Sequence, residues 1–277
     1  MRFASFLKSL RIDNFVLILL FHIIIYFKFF AHIPPLTFGL LTLAVLLILT
    51  GGNLENDLKD RIPDLLNRKP NFFFHRNKNT VRHLPYWFYV AGLLFAFIFL
   101  QKINKPQWIW YFLSVVILLI NYNTALKKMP VIGNFVISLV TMLPVLQLIA
   151  FFDLSASNQA ILILLALLIF TTNMNREIIK DILDRKGDRI AGYQTLGILS
   201  VRKALQLVFI HSGIAVIVSI FLVSHLDKLP GKIFYSLVTA LLIYTSLYLL
   251  KGKKSLARLK KTYKWIILLG IIGISVM

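Results

Sequence analysis

Long apolar runs separated by short polar stretches dominate this chain. Nine of them reach or approach the ~18 residues that a helix needs to cross a bilayer core. They lie at about 14–33, 36–52, 86–101, 107–122, 132–151, 159–174, 204–224, 233–250 and 263–277. None shows the period-two alternation of a barrel strand. The pattern predicts an all-α, polytopic membrane helical bundle of about nine transmembrane helices, with residues 1–277 forming a single integral-membrane domain. The last run holds only about 15 residues, so its flanking lysines must snorkel or the bilayer must thin. The opening stretch "MRFASFLKSLRIDNF" lacks a small-residue cleavage site and leads into a run long enough to be a first span, so it reads as no cleavable signal.

Composition agrees with this pattern. Hydrophobic residues make up 58% of the 277 positions and the mean hydropathy is +0.78, against roughly 45–50% apolar usage in soluble domains. The absence of cysteine excludes disulfides and thiolate metal sites. A formal charge of +20 raises the question of a nucleic-acid partner, and its distribution answers it. With the N-terminus threaded into the cytoplasm, 26 of the 31 Lys and Arg fall on the cytoplasmic side. Only Lys28, Lys102, Lys105, Lys228 and Lys232 lie near the other. That is the positive-inside bias of a multi-pass protein of the cytoplasmic (inner) membrane, with added attraction to anionic lipid heads. No basic helix or aromatic-basic platform suggests nucleic acid.

The acidic residues carry the candidate chemistry. "GGNLENDLKDRIPDLLNRKP" (51–70) follows the second run and "NREIIKDILDRKGDRIAGYQTL" (175–196) follows the sixth. Asp57, Asp60, Asp64 and Asp181, Asp184, Asp188 both read D-x-x-D-x-x-x-D, at a constant offset of 124 residues. With Glu55 and Glu177 these segments hold 8 of the 11 acids; Asp13, Asp153 and Asp227 are the others. Both clusters emerge on the same predicted face. The echo is good evidence for a paired site and weaker evidence for duplication of a helical unit.

As helix extensions, offsets of 0, 3 and 7 place three carboxylates along one face. Asn56 and Glu177, each four residues before an aspartate, lengthen that face, while Pro63 argues against an unbroken helix through Asp64. Like charges at one-turn spacing repel and call for a counter-charge. Mg²⁺ prefers oxygen ligands and bridges carboxylates to substrate phosphates. Two such stripes across a cavity would hold magnesium ions with a diphosphate between them. The alternative is a pair of solvated stretches laced with local ion pairs through Lys59, Arg61, Arg185 and Arg189. The repeated spacing on one side of the membrane weighs against it.

On these residues the chain resembles the UbiA superfamily of intramembrane prenyltransferases. The first family motif, N-D-x-x-D-x-x-x-D followed by N-R, stands here as Asn56, Asp57, Asp60, Asp64, Asn67 and Arg68. The second stands as Asp181, Asp184, Asp188, Gly192, Thr195 and Leu196. "YNTALKKMPVIGN" is similar to the family segment after the fourth span at Tyr122, Lys127, Gly133 and Asn134, and "LRIDN" matches Arg-x-x-Asn through Arg11 and Asn14. The resemblance runs from 11 to about 200. "REIIKDILDRKGDR" and "LKKMPVIGN" look most like the branch that transfers geranylgeranyl to geranylgeranylglyceryl phosphate. Residues 71–88, "NFFFHRNKNTVRHLPYWF", depart from it: Pro70 is kept, but Asn71 and three Phe replace the usual N-R-P-x-R-P-type continuation.

The resemblance implies an enzyme that ionises an allylic prenyl diphosphate with Mg²⁺ and passes the prenyl group to a lipid acceptor. It implies metal binding by Asn56, Asp60, Asp64, Asp181, Asp184 and Asp188, with Asp57 in an outer shell or a second metal's sphere. Asp60 and Asp184 are the central catalytic carboxylates. Lys180, Lys127 and Arg68 are candidates for the diphosphate, Arg11 for a phosphate of either substrate, and Tyr122 for steadying the cation or leaving group. Asn14 and Asn134 complete the binding set. A tail of roughly 15–20 carbons gains about 0.8 kcal/mol per buried CH₂, which explains a helix-walled apolar central cavity with the diphosphate at its cytoplasmic rim. An aromatic acceptor such as dihydroxynaphthoate or hydroxybenzoate is the runner-up. A cation transporter is disfavoured because both clusters sit at span ends rather than the midplane, and the D-G-x-x-A-R run of CDP-alcohol phosphotransfer is absent. Gly51-Gly52 lacks the P-loop ending and reads as a helix end permitting close approach. The six histidines show no ligand spacing, and no serine–base pair is indicated.

Overall fold

A computed structural model describes residues 11–69, 71–74, 81–249 and 256–277. The stretch before Arg11, Pro70 and positions 75–80 of the departing loop lie outside these residues. Within them the chain forms helices and no strand. It divides into two compact units, one running through Leu126 together with Ile190–Gly192, the other holding Lys127–Arg189 and Tyr193–Met277.

In the first unit, α1 (Ile12–Ile25) passes into a π-helical turn at Tyr26–Phe30. The wider turn follows from a crowded aromatic run: Phe21, His22, Tyr26 and Phe30 pack edge-on, tilted or stacked among themselves and with Phe38 of α2. His22 is buried and donates through Nδ1 to the Ile18 carbonyl at 2.9 Å. α2 (Pro35–Lys59) starts with Pro35 in its first turn, where no amide donor is needed. It packs closely on α4 (Leu84–Lys102) because glycines let the two backbones approach. A Cβ on Gly51 would meet the Tyr89 ring at 2.7 Å, and one on Gly92 would meet Ile48 at 2.7 Å. Gly51 and Gly52 thus permit close approach as expected, but they do not end a helix. α2 continues two more turns to Lys59, since Asn53–Lys59 are all compatible with a helix and nothing breaks it. α3 (Arg61–Leu66) and α5 (Ile109–Thr124) complete this unit.

The second unit holds α6 (Ile132–Phe151), α7 (Ala156–Ile190), α8 (Leu196–Leu199), α9 (Val201–Ser224), α10 (Leu229–Leu249) and α11 (Leu256–Gly273). Several polar groups inside it pair between helices. Asn175 donates to Ser212 at 3.0 Å, Ser212 lies 2.8 Å from the Tyr263 hydroxyl, and Ser219 lies 2.7 Å from Thr239. Tyr235 donates to the Gly270 carbonyl at 2.6 Å. Unpaired, such groups would be costly in an apolar interior. At 35 residues α7 is roughly 50 Å long, against about 30 Å for a bilayer core. One helix can therefore cross and still carry an acidic segment at its end.

Each of the nine expected spans coincides with a helix, but among the described residues seven of these, α1 with its π turn, α2, α4, α6, α7, α9 and α10, are long and apolar enough to cross. α5 has 16 residues, and α11 carries Arg258, Lys260, Lys261 and Lys264 in its first half. The chain is a multi-pass membrane protein, and nine crossings are not established by length and composition.

Candidate active site

In the first unit the acidic segment is a broken helix. α2 ends at Lys59; Asp60 leaves helical geometry at φ −91° and ψ 18°, and α3 begins at Arg61. Pro63 falls in the first turn of α3, a position that tolerates a missing amide. The break lies three residues ahead of the proline, so Asp57 sits on one helix and Asp64 on the next. The Asp60 amide donates to Asn56 and its carbonyl accepts from the Asp64 amide, both at 2.8 Å. Asp57 is buried; Asn56, Asp60 and Asp64 are half-buried.

Asn71 ties the two pieces together. Its Nδ2 donates to the Asp57 carbonyl at 2.6 Å and to Asp64 Oδ2 at 2.8 Å, and its Oδ1 accepts from the Phe73 amide at 2.9 Å. Arg61 donates to the Phe74 carbonyl at 3.3 Å. Phe73 is fully buried against Leu54 and Leu58, with Phe72, Leu84 and Phe88 around it. Burial pushes the Asp64 carboxyl above the ordinary carboxylate range. The Asn71 hydrogen bond opposes the shift, the Asp60 charge adds to it, and Lys69 and Arg11 reduce it. Arg11, with φ 50° at the start of α1, is thereby felt at the first motif. Asn14 is half-buried on the first turn of α1, and Arg68 is exposed past α3 at φ 54°.

Just ahead of the motif on α2, Glu55 is fully buried and joins three helices. Tyr89 of α4 donates to its Oε2 at 2.9 Å. Asn123 of α5 reaches the same oxygen at 3.4 Å and the Gly52 carbonyl at 3.1 Å. Tyr122, adjacent to Asn123, is buried at the end of α5.

In the second unit Asp181, Asp184 and Asp188 lie on the unbroken α7. Asp184 and Asp188 are buried, and Asp181 accepts from Asn134 of α6 at 2.9 Å. The helix ends in a turn with Gly192 at φ 76°, a conformation that favours glycine. Tyr193 then donates its amide to the Asp188 carbonyl at 2.9 Å, and Gln194 donates to Lys128 at 3.0 Å. Gly197 of α8 lies directly against the α7 backbone: a Cβ there would fall on the carbonyl of Asp181. Lys127 is buried with Nζ 6.0 Å from the centre of the Tyr193 ring, and Lys128 lies at 5.6 Å. Lys180 is held by Glu177 at 2.8 Å, and Arg176 meets the other Glu177 oxygen at 2.6 Å. Between Lys127 and Asn134 the backbone is strained. Val131 stands at φ 65° and ψ −48° in a three-residue turn closed by Ile132 donating to Pro130 at 2.7 Å. A β-branched residue seldom takes that conformation.

Each unit thus brings its own motif together with nearby cations or amides. Among the described residues no three His, Asp or Glu side chains converge tightly enough to hold an ion. The donor chemistry still suits a hard cation, being all carboxylate and amide oxygen on two short, partly buried segments. The sequence marks Asn71 only as part of the departing loop and carries no signal for Tyr89, Asn123, Tyr193 or Gly197. It shows Glu55 among the acids without giving it a place.

The family model of the UbiA prenyltransferase family matches residues 16–268, and the chain belongs to that family. It is a prenyltransferase. The chain is 30% identical to the digeranylgeranylglyceryl phosphate synthase of Thermococcus kodakarensis over 91% of its own length and 89% of the relative's. It is 34% identical to the protein of that name from Methanothrix thermoacetophila, over 69% of this chain and 66% of the other. Its fold is shared with a solved structure from work on digeranylgeranylglyceryl phosphate synthase in membranes, at a TM-score of 0.73 and 22% identity over 100% of this chain and 99% of that one. It is shared also with a UbiA homolog from Archaeoglobus fulgidus bound to DMAPP and Mg²⁺, at a TM-score of 0.70 and 16% identity over 99% and 100%.

Proposed function

We propose that this enzyme transfers geranylgeranyl from its diphosphate to the free hydroxyl of geranylgeranylglyceryl phosphate. The allylic C–O bond breaks and pyrophosphate leaves. The acceptor oxygen then bonds to the prenyl C1 and its proton is lost, giving an ether. The similarity to curated synthases of that name along nearly the whole chain is the observation that carries this reading.

Asn56, Asp60, Asp64, Asp181, Asp184 and Asp188 would hold magnesium, with Asp57 in an outer position. Magnesium, when bound, neutralises the negative charge that gathers on the departing diphosphate. The remaining roles belong to this chain's own side chains. Lys127, buried beside Tyr193, and Arg68 bind diphosphate oxygens. Lys180, with Glu177 as its partner, presents a third cation close to the second motif. Arg11 contacts a substrate phosphate from the start of α1, with Asn14 one turn along, and Tyr122 steadies the developing cation. Asn134 fixes Asp181 through its side-chain amide. The apolar helices accommodate the prenyl tails and exclude water that would quench the cation. In this reading the two units act together as one membrane domain over 1–277, with the N-terminus and both acidic segments at the cytoplasmic face of the inner membrane. The distribution of Lys and Arg supports that orientation.

Purified protein given labelled geranylgeranyl diphosphate, Mg²⁺ and either geranylgeranylglyceryl phosphate or an aromatic acid tests the acceptor. Ether lipid as the product is the expected outcome. Product with the aromatic acid alone would overturn the acceptor while leaving the reaction class standing.

A further inference from the structure

We infer that Asn71 is a positioning residue for the first carboxylate motif, a latch across the helix break that holds Asp64 in register with Asp57. The inference rests on the proposed role of Asp64 in binding magnesium. The first motif is split between α2 and α3, and the connecting Asp60 is not helical. Backbone bonds from Asp60 to Asn56 and from Asp64 to Asp60 carry the chain across the break, but they leave the Asp64 carboxyl to be set by side chains, and Asn71 reaches it. Asn71 Nδ2 spends one hydrogen on the Asp57 carbonyl at 2.6 Å and the other on the Asp64 carboxylate at 2.8 Å. The amide is fixed in turn: its Oδ1 accepts from the Phe73 amide at 2.9 Å, and Phe73 is anchored without exposure in the Leu54–Leu58 cluster. Both hydrogens and the oxygen of this buried side chain are engaged, in a way that sets the Asp64 carboxyl. An alanine, leucine or aspartate could not do the same.

The arrangement is that of an outer-shell partner: a neutral amide that orients a carboxylate without competing for its charge. Donating to one oxygen, Oδ2, leaves the other free to turn toward a cation.

The test compares Asn71→Ala, Asn71→Asp, Asp64→Asn and a packing control outside the Phe73 cluster, Leu41→Val on α2, in the purified full-length enzyme. Three quantities are read: the Mg²⁺ concentration at half-maximal rate, Mg²⁺ binding by calorimetry with geranylgeranyl thiodiphosphate present, and the melting temperature. Removing an outer-shell partner weakens metal binding by about 10- to 100-fold. Asn71→Ala is expected to raise both the half-maximal Mg²⁺ concentration and the calorimetric Kd within that range, with a smaller fall in kcat at saturating Mg²⁺. Asn71→Asp keeps the volume and the acceptor for the Phe73 amide but reverses the donor, so it shifts both quantities at least as far; it also serves if the alanine variant does not fold. Leu41→Val lowers the melting temperature without moving the Mg²⁺ midpoint. A wild-type Mg²⁺ midpoint and Kd in both Asn71 variants, with Asp64→Asn inactive, would overturn the latch and leave the metal role of Asp64 intact. Equal midpoint shifts in Asn71→Ala and Leu41→Val would reduce Asn71 to a packing residue. Wild-type turnover in Asp64→Asn would remove the reading beneath both.

Discussion

The two acidic segments share a spacing and solve it with different backbones. In the second, three aspartates ride one continuous helix, and helix geometry alone sets their relative positions along α7. In the first, the helix stops at Lys59 and restarts at Arg61; backbone bonds cross the break, and something outside the helix fixes the third carboxylate. That something is Asn71, with Phe73 as its anchor. The same one-dimensional signature therefore corresponds to an intrinsically ordered site in one unit and a fastened one in the other. Errors in packing around α7 should disturb a whole row of carboxylates together. Errors around α3 should disturb Asp64 and spare its neighbours.

The largest effect tests whether the two segments are equals in the reaction. Asp60→Asn and Asp184→Asn remove one carboxylate charge from each segment while keeping its shape. Each is expected to lower kcat by at least ~10²–10³-fold, the range for losing one preorganised electrostatic contact, with near-normal expression. Retained turnover in one variant alone would break the symmetry and assign the chemistry to the other segment.

The next test concerns how each segment is held. Gly197 lets α8 lie on the α7 backbone at Asp181, where a methyl group would overlap a carbonyl. Gly197→Ala is expected to destabilise the protein by about 1–3 kcal/mol, as overpacking does, and to lower activity through displacement of the second motif. The readouts are melting temperature in detergent and Mg²⁺ dependence of the rate. An unchanged melting temperature would show that α8 gives way without moving α7.

These features differ in how far they could be read from the chain. Apolar runs located every long helix, because burial in lipid writes a strong local signal. The doubled aspartate pattern located both segments, because chemistry constrains residue type. Pro63 announced a break near Asp64, yet the helix yields at Asp60 because the proline needs its own first turn. Asn71 was visible only as a departure from an expected loop. Nothing local says that an asparagine seven residues after Asp64 will turn back to it. Glu55 contacts partners 34 and 68 residues away, and Gly197 matters only because α8 doubles back on α7. A buried acid one position ahead of the first motif was the one available hint. Such contacts depend on tertiary placement, which periodicity does not encode.

Glu55 supplies a third test, specific to the first unit. Tyr89→Phe removes the hydroxyl that donates to Glu55 at 2.9 Å and leaves a buried carboxylate with one donor fewer. The expected cost is about 1–3 kcal/mol of stability. Because the same carboxylate contacts Asn123 beside Tyr122, kcat should fall several-fold while KM for the prenyl diphosphate moves less. A change in stability with unaltered kcat would confine the clamp to holding α2, α4 and α5 together.

The smallest effect refines the second unit. Tyr193 follows the α7 terminus and presents its ring to Lys127 and Lys128 at 6.0 and 5.6 Å. Such cation–π contacts are worth about 0.5–2 kcal/mol, the upper end when the pair is desolvated, as burial of Lys127 favours. Tyr193→Leu removes the π face and keeps an apolar side chain, whereas Tyr193→Phe keeps the π face and loses only the hydroxyl. If the ring steadies Lys127 for the diphosphate, Tyr193→Leu raises KM for geranylgeranyl diphosphate by about 2- to 30-fold with little change in kcat, the range that 0.5–2 kcal/mol allows. Tyr193→Phe then stays close to wild type. Equal KM values in the two variants would show that the ring acts by filling space, and Lys127 would owe its position to the backbone link between Gln194 and Lys128.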